Sequence, residues 1–155
     1  MDPKNRFHTA ATFRWVRAEH CIVVAAVVVL LLLHRHEVRW PRFLLAFFAI
    51  DLCGYLPGAI AWRRQGRRAA TPPRIAALYH HLYNLTHSYV TAALVAAAWT
   101  AISGRPEWAM LALPIHLSGD RGLFGNTYKP LELPFEPVAV PWSALPQEVA
   151  CTPLR

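Results

Sequence analysis

Residues 21–33 read CIVVAAVVVLLLL, thirteen apolar positions in a row, and His34, Arg35 and His36 follow at once. A helix apolar on every side is expected in lipid, not on the outside of a small soluble bundle. The run has the length of a signal-peptide core, but a basic cluster stands where a small-residue cleavage site would be, so it reads as a retained membrane segment. Crossing a bilayer takes about 20 residues. The helix therefore extends back through Ala18, Val16 and Trp15 to Phe13, which draws Glu19 and His20 inside one end of a span at 13–33.

Three more apolar blocks follow. Pro41 is placed to start a helix that runs to Trp62, with Asp51 inside it and a kink expected from Pro57, which removes a backbone hydrogen bond. Thr71, Pro72 and Pro73 make a cap and first-turn signal for a third span, 75–102, long enough to cross with a tilt. The fourth, 106–124, carries Pro114 and ends at Gly122 and Gly125. The expected fold class is all-α: a polytopic membrane protein, a four-helix transmembrane bundle over 1–129. Residues 130–155 hold six prolines and three glutamates and read as a Pro-rich extended tail.

Composition agrees. The chain has 155 residues, enough for one domain, and is 55% hydrophobic and 16% charged, against roughly 25% charged in an ordinary soluble domain. The formal charge of +7 could suggest nucleic acid, but position argues against it. Arg63, Arg64, Arg67, Arg68 and Arg74 lie between apolar blocks, and Lys4, Arg6, Arg14 and Arg17 precede the first. Only Arg35, Arg39, Arg42 and Arg105 fall on the other side, so the charge marks topology, with both termini cytoplasmic and the protein integral to the cytoplasmic membrane. Cys21, Cys53 and Cys151 have neither the number nor the spacing of a disulfide framework or zinc knuckle.

Against this apolar background stand Glu19, His20, Asp51, His80, His81, Tyr83, Asn84, His87, His116, Asp120 and Arg121. Ionisable groups at bilayer depth are costly, and they mark function by default. His80, Tyr83, Asn84 and His87 fall at i, i+3, i+4 and i+7, one stripe of a helix; His116 and Asp120 are an i, i+4 pair. All four spans place their polar residues in the same, cytoplasmic, half, which is the arrangement of one shared site. His81 falls off the stripe, and His34 and His36 sit in a short loop with Glu37, where they are expected to be solvated.

Histidine with carboxylate is a ligand set for zinc, iron or manganese. The same residues also suit a metal-free acid and base pair, or a network that fixes helix register or carries protons. The candidate ligands are His87, His116 and Asp120. Glu19 and Asp51 are general-base candidates, Tyr83 and Asn84 complete the catalytic set, and Arg121 and Lys129 are headgroup contacts.

Arg17-x-Glu19, Asp51-Leu-x-Gly54-Tyr-Leu, Leu82-Tyr83-Asn84-x-x-His87 and His116-x-x-x-Asp120-Arg121 with Gly125 and Lys129 resemble a group of small four-helix bacterial membrane proteins of unknown function, over about residues 15 to 130. Glu19-His20, Asp51, Thr86-His87-Ser88 and His116-x-x-x-Asp120 are more distantly similar to the membrane-bound metal-dependent hydrolases induced by DNA damage. This chain has one carboxylate where that family has an acidic pair, and Leu82 where it has a histidine. The resemblances imply a shared site and metal chemistry. The leading expectation is a metal-dependent hydrolase acting on a membrane lipid or other apolar small molecule. The alternatives are an acid-initiated cyclase or isomerase of an isoprenoid-like substrate, with Tyr83 and Trp99 as cation-stabilising aromatics, and a proton pathway or assembly subunit, which would require a homo-oligomer.

Overall fold

The structure is a computed structural model and describes residues 10–66, 75–131 and 134–136. Every regular element among them is helical. The chain forms α1 (Ala10–Leu33), α2 (Trp40–Cys53), α3 (Tyr55–Gly66), α4 (Ala77–Thr86) and α5 (Tyr89–Ser103). A 3-10 turn (Trp108–Leu111), the short α6 (Ala112–Gly119) and a π turn (Asp120–Phe124) complete it.

Two stretches are long and apolar enough to cross a membrane, Ala11–Leu33 and Trp40–Gly66, and the bent pair α4 and α5 makes a third if taken as one span. This is consistent with a membrane protein. Only about a tenth of the α1 window is buried inside the molecule, so Trp15, Ile22, Val29 and Leu33 present an apolar face outward, as lipid contact requires.

Two to three spans of the expected four are long and apolar enough by length and composition, and the second, third and fourth apolar blocks are broken helices, each break with a local cause. Pro57 does interrupt the second block, but the break falls at Gly54. A proline ring excludes the carbonyl four residues earlier, here that of Cys53, which is where α2 ends. Thr86 packs into the gap, and a Cβ on Gly54 would lie 1.9 Å from its hydroxyl.

The third block bends by 58° between α4 and α5. Ser88 caps α5, its hydroxyl accepting from the Val90 amide at 3.2 Å, so the helix restarts there. Thr71–Pro73, the expected start signal, and most of the tail lie outside the described residues.

The fourth block changes helix type twice. Pro114 excludes the carbonyl of Met110, within the 3-10 turn, and α6 runs only eight residues before the π turn. Short as it is, α6 is the most buried element: Ala112, Leu113, His116, Leu117 and Ser118 are all enclosed. It packs against α1 and α2.

The core divides into three clusters along the long axis. Val27, Leu31, Val38, Phe43, Ala109 and Ala112 fill the end nearest the 34–39 loop. Ile50, Ala92, Leu113 and Leu117 fill the middle, and Ala59, Ile75, Tyr83 and Phe135 the opposite end. Phe135, from the described part of the tail, is 1% exposed and occupies the space that Gly58 leaves open.

Candidate functional site

Between the middle and the Phe135 clusters, four side chains from three of the apolar blocks converge. Asp51 comes from the last turn of α2, His87 from the break between α4 and α5, His116 from α6 and Asp120 from the start of the π turn. His87 Nε2 lies 3.4 Å from Asp51 Oδ1 and 3.3 Å from Asp120 Oδ2. His116 Nε2 lies 3.7 Å from each of the same two oxygens. Asp51, His87 and His116 are a group that could hold a metal ion, with ligand atoms all within 4.8 Å of one another.

Three features of the chemistry fit a cation. First, nitrogen and oxygen ligands placed about 2.0–2.2 Å from one ion at tetrahedral angles would be about 3.3–3.6 Å apart, close to the spacing seen. Second, His87 Nδ1 lies 2.9 Å from the Tyr83 carbonyl, which can only accept, so Nδ1 carries a proton and Nε2 is the nitrogen left to face the carboxylates, free to bind an ion whenever it is unprotonated. Neither His87 Nε2 nor His116 Nε2, both buried, has a hydrogen-bond partner among the described residues. Third, two carboxylates and two imidazoles in their neutral, ligating form would sum to two negative charges, the complement of a divalent ion.

The surroundings hold these side chains in place. Tyr83 stacks on His87 with centroids 3.8 Å apart, and Phe47 meets the edge of His116 at 4.7 Å. Thr86 hydroxyl lies 3.1 Å from His87 Nδ1. Arg121 donates to the His87 carbonyl at 2.9 Å and lies over the Tyr89 and Tyr128 rings. Tyr89 hydroxyl, in turn, bonds Ser118 at 2.5 Å and His20 Nδ1 at 3.3 Å.

The π turn is fastened to α1. Arg17 donates to the carbonyls of Gly122 and Leu123 at 2.9 and 2.8 Å, and a Cβ on Gly122 would meet the Cys21 amide at 2.9 Å. In the sequence Arg17 counts as topological charge and as part of the Arg17-x-Glu19 motif, and no contact is assigned to it.

Of the candidate residues, His87, His116, Asp120 and Asp51 meet directly, and Tyr83 touches them through His87. Glu19 is exposed on α1 and is not among the converging side chains. Asn84 faces the tail: its Nδ2 donates to the Lys129 carbonyl at 2.9 Å and its Oδ1 accepts from the Lys129 amide at 2.7 Å.

The Lys129 amine is enclosed by the Tyr55, Tyr83 and Phe135 rings and donates to the Phe135 carbonyl. Burial lowers the affinity of this amine for its proton, against the pull of Glu136 and Asp120. His34 is not simply solvated, since it stacks on Trp108 at 3.8 Å and pairs with Glu37 at 2.9 Å.

A void of about 10 Å³ adjoins His87 and Asp120 and is also lined by Asn126 and Thr127. It has about the size of one water. No protein family, curated protein or solved structure matches the chain.

Proposed function

We propose that the protein is a small integral membrane enzyme that holds a divalent transition metal (zinc, iron or manganese) and hydrolyses a lipid or other amphiphile. The observation that carries this is the alternation of two imidazole nitrogens and two carboxylate oxygens at 3.3–3.7 Å, from elements distant in sequence. A purely structural contact would give the Nε2 atoms well-formed hydrogen bonds, and among the described residues neither atom has one, only carboxylate oxygens at 3.3–3.7 Å. The resemblance of Thr86-His87-Ser88 and His116-x-x-x-Asp120 to membrane-bound metal-dependent hydrolases points the same way.

His87, His116, Asp120 and Asp51 are the ligand candidates, with Asp51 the most open of the four at 47% side-chain exposure. An ion of this class supplies Lewis-acid activation of a water near neutral pH. The void beside His87 and Asp120 would seat that water. Asn84 and Lys129 serve the site through the segment that closes it, and Arg121 sets the His87 backbone. The protein sits in the cytoplasmic membrane with both termini inside, and the site opens toward the cytoplasm.

A metal-free reading rests on the same distances, which are also those of imidazolium–carboxylate pairs, and would suit acid-initiated chemistry on an isoprenoid-like substrate. Elemental analysis of detergent-purified protein beside His116→Ala and Asp120→Ala separates the two. Near-stoichiometric zinc, iron or manganese, lost from both variants, is expected. No metal in the wild type, even after incubation with each ion, overturns the metal reading.

A further inference from the structure

The basic side chains at the other end of the molecule are not scattered. Arg39 and Arg42 stand at the start of α2, and Arg105 follows the end of α5. Together with Trp99, Ile102 and Glu107 they line one recess of about 390 Å³. Of the four arginines that the sequence assigns to this side, three therefore converge. Asp51 is nine residues beyond Arg42 along α2, roughly 13 Å of helix rise, so the recess is separate from the His/Asp group.

The recess has a fixed floor. Glu107, with a side chain only 6% exposed, accepts from Arg39 at 3.0 Å and Arg42 at 2.7 Å through one oxygen, and from Trp99 Nε1 at 3.2 Å through the other. Arg42 also lies over the Trp99 ring at 5.5 Å. One carboxylate thus orients two guanidinium forks and occupies one N–H of each. Both arginines stay more than two-fifths exposed, and Arg105 has no ion pair among the described residues. The three arginines face Glu107, and Glu37, which lines the adjoining recess with Arg39 and Arg105, is taken up by His34 and Trp108, so most of the guanidinium donors stay unspent.

Depth is given by the aromatic residues. Trp40, Trp99 and Trp108 all lie at this end, the pattern of a headgroup belt. Ile102, at the rim, is 86% exposed and offers an apolar wall beside the charges. A planar fork matches a phosphate with paired hydrogen bonds, and Arg is the residue suited to that geometry.

We propose that Arg39, Arg42 and Arg105 form a second binding site, which takes the phosphate of an anionic ligand at the membrane surface opposite the His/Asp group. The phosphate can belong to a phospholipid headgroup, whose chains would run beside Ile102, or to a soluble phosphate ester. Glu107 is the positioning residue that keeps the forks open toward the ligand.

The test uses full-length protein in nanodiscs of phosphatidylcholine with phosphatidylglycerol, scored by native mass spectrometry for retained lipid, and protein in detergent titrated with inorganic phosphate and glycerol phosphate. Arg105→Gln removes a charge with no protein partner, so it leaves folding intact. Arg14→Gln, at the opposite end, controls for bulk electrostatics. Expected is preferential retention of phosphatidylglycerol, reduced about tenfold in Arg105→Gln and unchanged in Arg14→Gln, since a charge-assisted contact to phosphate is lost. Binding of the soluble phosphates with no lipid preference, again reduced in Arg105→Gln alone, assigns the site to a soluble ligand. Equal loss in both variants, or no binding of either kind, overturns the proposal.

Discussion

Gly58 and Phe135 should show a reversal of sign in a double-mutant cycle. A Cβ on Gly58 would lie 2.3, 2.6 and 2.8 Å from three carbons of the Phe135 ring, so Gly58→Ala must expel that ring from a place where it is 1% exposed. Overpacking of this kind costs about 1–3 kcal/mol. Phe135→Ala alone empties the same place and also removes the ring over the Lys129 amine, at 4.0 Å. Large-to-small aromatic changes in a core cost about 3–5 kcal/mol, and we take the lower end, about 3. In the Phe135→Ala background the clash is gone, and Gly58→Ala then exchanges glycine for the best helix former inside α3, a gain of about 0.5–1 kcal/mol.

The double variant should therefore be more stable than Phe135→Ala, although Gly58→Ala destabilises the wild type. Thermal unfolding followed by intrinsic tryptophan fluorescence reads this in detergent. At about 2–4 °C per kcal/mol for a chain of this size, Phe135→Ala should lower Tm by about 6–12 °C, and adding Gly58→Ala should recover a degree or more. Additive losses, or a Phe135→Ala Tm equal to wild type, would refute the docking of Phe135 on α3.

Three other outcomes follow from the geometry. Zinc or manganese at a hundredfold excess over its dissociation constant should stabilise wild type by about 2.7 kcal/mol and leave the Tm of His116→Ala unmoved; an equal shift in both would place the ion elsewhere. Burial alone would raise the Glu107 carboxyl, but Arg42, Trp99 and Arg39 hold it below its ordinary 4.5, so its contribution is complete above about pH 4.5 and is lost as pH falls through the lowered value. Wild type should lose Tm on acidification below pH 4.5 more steeply than Glu107→Gln, and parallel profiles would count against this. Asn84→Ala removes both bonds to the Lys129 backbone, at about 1 kcal/mol each, and should raise chymotryptic cleavage after Tyr128 without altering metal content; unchanged cleavage would mean that the clamp does not hold the segment.

The sequence made the site more legible than the fold. Hydropathy and loop charges put the polar residues of all four apolar blocks, Glu19, His20 and His80 included, in one half, and the structure brings Asp51, His87, His116 and Asp120 together while Glu19 stays exposed on α1. The i, i+3, i+4, i+7 stripe presumes a straight helix through His87, and the helix breaks there. Tyr83 and His87 stay together, but His87 folds back onto the Tyr83 carbonyl at a break, while Asn84 turns to the tail.

Ser88 was the readable sign of that break, a capping residue inside an apolar run. The Cys53 carbonyl, four residues before Pro57, was another. Phe135 and Arg17 were not readable, since their partners lie 77 and 105 residues away and no local pattern announces a ring seated on Gly58 or a guanidinium on the Gly122 carbonyl.

The breaks and the site coincide, and one physical reason explains both. Asp51 is three residues before the gap at Gly54, His87 stands in the gap between α4 and α5, and Asp120 opens the π turn. Packed helices keep their axes about 8–10 Å apart, and continuous α-helices leave short side chains such as aspartate on separate ridges. Interrupting a helix lets the chain turn a short side chain inward. It also frees backbone groups, which lipid cannot satisfy. Here other parts of the protein take up several of them: Arg17 bonds the Gly122 and Leu123 carbonyls, Arg121 the His87 carbonyl, and Asn126 the Asp120 carbonyl at 2.8 Å. A chain that needed only to span the bilayer would gain nothing from three such interruptions at one depth. They are accounted for if the convergence of two histidines and two aspartates is what the fold is built to achieve.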